Sequence, residues 1–362
     1  MTVSIDGANG VVFNDLSTQN TAATGFGFKN RIINGAMVID QRNAGASVTA
    51  TTTGIPVYTI DRFYYFASQA SKYTVQQNAG SVTPPAGYKT YVGITSSSAY
   101  SIVASDLFIY EQKIEGYNFA DLNWGTANAV PVTFSFWVRS SLTGTFSGSL
   151  RNENDTRSYP YVYTISSANT WEQKTITIAG DTTGTWTGAT IGTGLKIGFS
   201  LGSGSTYSGT AGAWAGATYT SATGATSVVG TSGATFYITG VQLEKGSTAT
   251  SFDYRDYGRE LIMCQRYYQK LPNSIAYLGG SAFSTNRVLS SFSYNTTMRV
   301  LPTATTGATS FLWFVNGGAT TSTAVALGAN YGSIAIDATV VATTGVSGVG
   351  QLNVGVELNA EL

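Results

Sequence analysis

Histidine is absent from this chain, and cysteine occurs once, at Cys264. These two absences exclude imidazole general bases, Cys/His zinc sites and intrachain disulfides together. Any metal would have to be a hard cation held by oxygens, and neither a metal nor a cofactor is expected. Charge is scarce as well. Only 10% of the residues are charged, and 19 Lys and Arg cancel 19 Asp and Glu, so nothing steers the chain toward nucleic acid or an anionic membrane. No apolar run approaches the roughly 18 residues of a membrane span. The opening MTVSIDGANG has neither the basic nor the apolar region of a signal peptide. A phosphate-cradling GxxxxGK[ST] is missing, and a serine nucleophile would find no histidine base.

What is present favours strands. Glycine accounts for 42 of 362 residues, and Thr, Val and Tyr are plentiful. β-Branched and aromatic side chains fit a pleated surface, and glycine supplies turns. The expected fold class is all-β: a jelly-roll-like β-sandwich followed by one α-helix and a smaller C-terminal β-domain. The helix anchors this division. Thr235–Leu243 alternates as a half-buried strand. From an N-cap at Asp253 or Asp256, Tyr257, Leu261, Cys264, Tyr268 and Leu271 then recur at helical spacing, with Lys270 in the last turn and Pro272 as a stop. Cys264 on that inner face reads as a small core hydrophobe.

The expected units are 1–28, an N-terminal attachment segment; 29–252, the sandwich; 253–271, the connecting helix; and 272–362, the C-terminal β-domain. Residues 1–28 alternate briefly around Val11, Val12 and Phe13 and then become small and polar. They form either a short hairpin ordered against another chain or a frayed terminus. Within the sandwich, strands are expected at Arg31–Asp40, Asp61–Ala67, Tyr73–Gln77, Tyr91–Thr95, Asp106–Ile114, Val132–Arg139, Thr145–Leu150, Trp171–Ile178, Leu195–Leu201 and Thr235–Leu243. In the last unit they are expected at Arg287–Tyr294, Ser310–Val315, Tyr331–Val341 and Gln351–Leu362. Truncation within that final strand would be costly.

Two stretches invite a functional reading. Residues 202–233 are rich in Gly, Ala, Ser and Thr, a long insert of the kind that is functional or ordered by a partner. Its Tyr207, Trp214 and Tyr219 could form a stacking surface for a sugar or fold back onto the core. The acidic pairs Glu153 with Asp155 and Asp253 with Asp256 are the suspects for glycosidase chemistry, which needs two carboxyls about 5–10 Å apart across a groove. A polar hairpin turn explains the first pair and helix capping the second. Asp40 with Arg42 and Asp61 with Arg62 read as modest surface ion pairs. Glu244 with Lys245 reads as a device to position the turn into the helix. No catalytic residue is expected.

Several motifs occur in one order: NRIINGAMVIDQR at Asn30–Arg42, DRF at Asp61–Phe63, EQKIEG from Glu111, TFSFWVRS ending at Ser140 and TWEQKTITI ending at Ile178. The long GVQLEKGSTATSFDYRDYGRELIMCQRYY follows from Gly240 to Tyr268, and FSYNTTMRVLPT begins at Phe292. Over about residues 29 to 305 this series resembles the body of bacteriophage tail-fibre and related virion-surface proteins, and GVVFNDLSTQNTAA at Gly10–Ala23 resembles their attachment segments. The resemblance implies a sandwich similar to carbohydrate-binding modules, assembly as a homotrimer and location on the virion surface. It further implies docking to other virion proteins through Val11, Val12 and Phe13, and contact with host-surface glycan. A head decoration or head fibre is the alternative placement, and a polysaccharide depolymerase the alternative of another class.

Overall fold

The computed structural model describes residues 4–6, 10–12, 18–19, 28–271, 278–284, 287–306, 311–315, 318–322, 324–329, 333–339, 347–352 and 355–362. Two six-stranded antiparallel sheets face each other across the main core. The first runs in the order Glu172–Ile178, Val132–Ser140, Thr235–Lys245, Val92–Ser96, Tyr73–Gln77, Val48–Thr49. The second runs Ser158–Ile165, Gly144–Arg151, Thr193–Ser203, Leu107–Glu115, Phe63–Ala67, Val57–Ile60. Period-two alternation drives both. Along Val132–Ser140, Phe134, Phe136 and Val138 are fully buried while Trp137 and Arg139 are half-exposed. Phe136 meets Phe199 at 4.9 Å and Tyr163 at 5.0 Å, both edge-on, the arrangement ring quadrupoles favour.

One glycine shapes the first sheet. The pairing of Val132–Ser140 with Thr235–Lys245 slips between Ser135 and Trp137, where Gly240 sits at φ 61°. A Cβ there would stand 2.5 Å from the Tyr88 hydroxyl oxygen. Only glycine accepts both the left-handed backbone and the close approach of that ring.

The all-β expectation holds. Most of the expected sandwich strands return within a residue or two, with Ser158–Ile165, Val57–Ile60 and Val48–Thr49 among those added, whereas the expected strand Gln351–Leu362 is divided between Ser347–Leu352 and Val356–Asn359, which pair into different sheets. Arg31–Asp40 is an exception. Asn34 and Met37 adopt positive φ, and the segment is an irregular buried strap rather than a strand. Side chains satisfy its backbone: the Asn30 Oδ1 accepts from the Ile32 N–H (2.9 Å), and Gln112 both accepts from the Ile33 N–H (2.9 Å) and donates to its carbonyl (2.8 Å).

The helix is also shorter than its periodicity suggests, covering Tyr257–Gln265 with Asp256 as N-cap, its carboxylate accepting from the Arg259 N–H at 2.9 Å. Cys264 and Tyr267 pack on Ile33 and Ile39, and burial pushes the Cys264 thiol up, as suits a core residue. Tyr257, by contrast, is 64% exposed. Tyr268–Lys270 leaves the helix to pair with Val356–Asn359, which in turn pairs with Thr303–Thr306. A seven-stranded antiparallel sheet completes the chain, in the order Gly318–Ser322, Phe311–Val315, Ser347–Leu352, Leu278–Ser284, Arg287–Ser293, Ser333–Thr339, Ala324–Ala329. In the N-terminal segment, Gly10–Val12 pairs with Ser4–Asp6 and Thr18–Gln19. Val11 and Val12 therefore lie on the middle strand of a small sheet, and Phe13 lies outside the described residues.

Charged side chains lock the last residues to the sandwich. Arg62 does not pair with Asp61, nor Arg42 with Asp40, and neither arginine is a surface group: both reach Glu361, with side-chain exposures of 1% for Arg62, 11% for Arg42 and 4% for Glu361. Arg62 lies over the Tyr267 ring at 3.5 Å and Arg42 over the Tyr268 ring at 3.7 Å. Asp40 instead caps a turn, accepting from the Asn43 and Gly45 N–H groups.

Asp61 is buried and accepts from the Gln41 backbone N–H (2.7 Å) and side-chain amide (2.6 Å). Burial outweighs Arg42 and these bonds, and raises its carboxyl to about 6. The folded chain therefore binds this proton more tightly than the unfolded chain does, so the Asp61 contribution to stability falls as pH rises from about 4 to 6, by about 3 kcal/mol in all. Urea denaturation at pH 4, 5 and 6 should show the downward slope with pH reduced in Asp61→Asn relative to the parent; identical slopes would contradict the assignment.

Candidate functional site

The Gly/Ser/Thr-rich insert is ordered against the second sheet. Ser208–Gly209 pairs in parallel with Ser221–Ala222, and backbone bonds link Ala215 with Ser158 and Thr226 with Thr145. Trp214 folds back onto the core. Its ring meets Trp124 at 5.1 Å, Tyr159 at 5.2 Å and Trp186 at 5.4 Å, and its indole N–H donates to the Ala179 carbonyl at 2.8 Å. Tyr219 is half-buried and lies across Gly209, where a Cβ would stand 2.4 Å from the ring. Tyr207 closes a 3-10 turn, and its carbonyl accepts from the Thr220 N–H at 2.8 Å. No ring contact joins Tyr207, Trp214 and Tyr219, so they do not form one platform.

The acidic pairs are engaged separately. Glu153 accepts from the Thr187 hydroxyl (2.7 Å) and the Thr193 N–H (3.3 Å), while Asp155 holds Arg151 (2.6 Å) and Lys196 (2.8 Å). Arg151 is itself buried on Glu111, not on a solvated turn. Among the described residues no group of three or more Cys, Asp or Glu could hold a metal ion, and no helix is long and apolar enough to cross a membrane.

An aromatic-lined concavity lies elsewhere, where the strap, the sandwich and the helix N-terminus meet. Outward-facing Gln242 and Glu244 on Thr235–Lys245 hold down the chain that follows: Gln242 accepts from the Asp253 N–H at 2.8 Å, and Glu244 accepts from the Thr250 N–H at 3.1 Å and from its hydroxyl. Glu244 thus does position the turn, whereas Lys245 reaches Asp121 at 3.2 Å. Phe252 and Tyr254 are thereby set against Tyr88, with ring centroids 4.8 Å (Phe252–Tyr254), 5.3 Å (Tyr88–Phe252) and 5.6 Å (Tyr88–Tyr254) apart.

These rings help line a cavity of about 160 Å³, together with Gly35, Ala36, Val38 and Asn30 of the strap. Glu260 and Arg255 also line it, paired at 3.3 Å and buried, Arg255 donating in addition to the Ile32 carbonyl at 3.0 Å. Lys89 stands exposed at the rim and Asp253 is 26% exposed. The Tyr88 hydroxyl is pushed well above the usual tyrosine range, first by burial and then by its bond with Tyr254. Tyr254 is 57% exposed, an aromatic face open to a ligand. Aromatic walls with a few converging polar groups are what small-ligand sites provide. Sequence reasoning did not single out Tyr88, Lys89, Phe252 or Tyr254; the only local signal is an aromatic pair, Phe252 and Tyr254, with no strand or helix partner before the N-cap.

No protein family and no curated protein matches the chain in sequence. Among solved structures it is similar to the enzymatically active domain of bacteriophage CBA120 tailspike protein 4, at 11% identity and a TM-score of 0.31 over 60% of this chain. The match spans 21% of the tailspike chain, about a fifth of its length. A putative sugar binding protein from Bacteroides thetaiotaomicron is similar at 15% identity and a TM-score of 0.33, over 60% of this chain and 100% of that one. The family 11 carbohydrate-binding module from Clostridium thermocellum, in complex with a mixed-linked tetrasaccharide, is similar at 8% identity and a TM-score of 0.26, over 55% of this chain and 100% of that one.

Proposed function

We propose that this chain is a non-enzymatic structural protein of a bacteriophage particle, a tail fibre or fibre-like appendage that contacts host-surface glycan. It acts as a homotrimer docked to other virion proteins through residues 1–28. The observation that carries the glycan part is the pocket walled by Tyr88, Phe252 and Tyr254 beside Asp253 and Lys89. A sugar presents an apolar C–H face and a polar rim, and this pocket offers ring faces beside one acceptor and one donor. The ordered motif series supports the virion part. The binding reading is further supported by the state of the suspected acids: Glu153 and Asp155 are spent on turn and ion-pair bonds, and Asp256 on the helix cap.

The test incubates the purified full chain with polysaccharide extracted from the host surface and follows both co-sedimentation and polymer length. Binding with unchanged polymer length is the expected result. Shortened polymer would overturn the non-enzymatic reading in favour of a depolymerase, and absence of any binding would overturn the glycan reading. Imaging of the assembled particle then tests the placement, which density at the head instead of the tail would overturn.

A further inference from the structure

Resting on the reading of this pocket as a glycan site, we infer that it takes one uncharged sugar ring at the end of a glycan, not an acidic sugar and not an internal stretch of polymer. Size comes first. Pockets for drug-sized ligands run to about 300–1,000 Å³, whereas this cavity is about 160 Å³, with Gly35 and Ala36 in its lining. A volume of this size suits one ring and is small for several consecutive ones. The cavity cannot easily widen at Gly35, which is pressed against the bulged strand: a Cβ there would stand 2.1 Å from the Val241 carbonyl oxygen, and the Val241 N–H donates to the Gly35 carbonyl at 2.9 Å.

Charge sets the class. Arg255 and Glu260 cancel at the bottom of the pocket. Arg255 is committed further to the carbonyls of Asn30 and Ile32, and Glu260 to the Asn34 N–H. The other two charges in the lining are Asp253, one oxygen of which lies 3.7 Å from the Arg255 guanidinium and accepts from the Asn30 N–H at 3.4 Å, and the exposed Lys89, of opposite sign. Arg255 is held by Glu260 at 3.3 Å and by Asp253 at 3.7 Å, so an anionic sugar entering here would be desolvated beside two carboxylates and would find only the exposed Lys89 uncommitted. Hydroxyls of an uncharged ring can instead donate to Asp253 and accept from Lys89 while its C–H face lies on Tyr254. A site that hydrogen-bonds hydroxyls in this way discriminates against rings that lack them.

The experiment titrates the full chain with the methyl glycosides of glucose, galactose, mannose, N-acetylglucosamine and glucuronic acid, and with host-surface polysaccharide, by saturation-transfer NMR and calorimetry. At least one neutral glycoside should bind, and the glucuronide should bind at least tenfold more weakly. Tyr254→Ala should weaken the neutral glycoside at least tenfold, with Tyr254→Phe recovering most of the loss. Because Tyr254 is exposed, an unchanged unfolding midpoint for Tyr254→Ala separates loss of contact from loss of fold. Polysaccharide that binds while every neutral glycoside is silent, or while Tyr254→Ala binds as the parent does, overturns this inference and leaves the glycan reading standing. Equal or tighter binding of the glucuronide overturns the choice of an uncharged ring. Failure of polysaccharide and glycosides alike overturns both.

Discussion

Glu361→Ala should cost about 3–5 kcal/mol, read as a large drop in the midpoint of chemical denaturation, because it leaves two buried guanidinium groups without the carboxylate that pairs with both. The carboxylate accepts from Arg42 at 2.9 Å and from Arg62 on its other oxygen, and Arg62 is almost wholly out of water. Burial alone would lower the Arg62 pKa; Glu361 is the largest of the influences that more than reverse it. The neighbouring bonds depend on the same placement. Arg299 donates to the carbonyls of Ala360 (2.8 Å) and Glu361 (2.7 Å), while Tyr58 and Lys113 donate to Leu362 O at 3.0 Å and 2.7 Å. Glu361→Gln keeps the shape but not the charge and should fall between the parent and Glu361→Ala. A loss below 1 kcal/mol for Glu361→Ala would mean that water reaches this junction and that the two parts of the chain are not locked by charge.

This junction also marks the limit of what the sequence makes legible. Alternation at Val132–Ser140 or Tyr73–Gln77 reports a local fact, that one face of an extended chain is buried, and those strands follow from their residues alone. Arg62 stands beside Asp61 in sequence but finds its partner 299 residues away; no local pattern encodes that. Arg31–Asp40 carries the apolar residues of a strand because it too is buried, yet it runs as a strap whose backbone is satisfied by the side chains of Asn30, Gln112 and Glu260 instead of a neighbouring strand. Tyr268–Lys270 fits a helical period and is drawn into a sheet by Val356–Asn359, tertiary pairing overriding a weak local preference. The pocket was hidden for the same reason. Its wall joins Tyr88 to Phe252 and Tyr254 across more than 160 positions of sequence, and they meet only because Gly240 lets the Tyr88 ring in and Gln242 holds the Asp253 backbone down.

Trp214→Ala should destabilise the fold by about 3 kcal/mol while leaving sugar binding at the Tyr254 pocket unchanged. The indole packs on Trp124, Trp186 and Tyr159, and Phe119 closes the far side of the cluster, 5.2 Å from Trp124 and 5.4 Å from Trp186. Truncating a buried tryptophan to alanine typically costs about 3–5 kcal/mol, and the half-buried position of Trp214 puts it at the low end. The loss would also remove one of the bonds that hold the insert, the Trp214 N–H to the Ala179 carbonyl. Beside the cluster the Trp186 N–H donates to Asp181, which holds Arg157 through two bonds of 2.7 Å, so a loosened ring stack should loosen that clamp too. Denaturation and glycoside titration of one variant separate the two roles open to this residue. A structural tryptophan moves the first and spares the second. Unchanged stability with lost binding would make Trp214 a ligand platform after all and would move the glycan site from the helix junction to the insert.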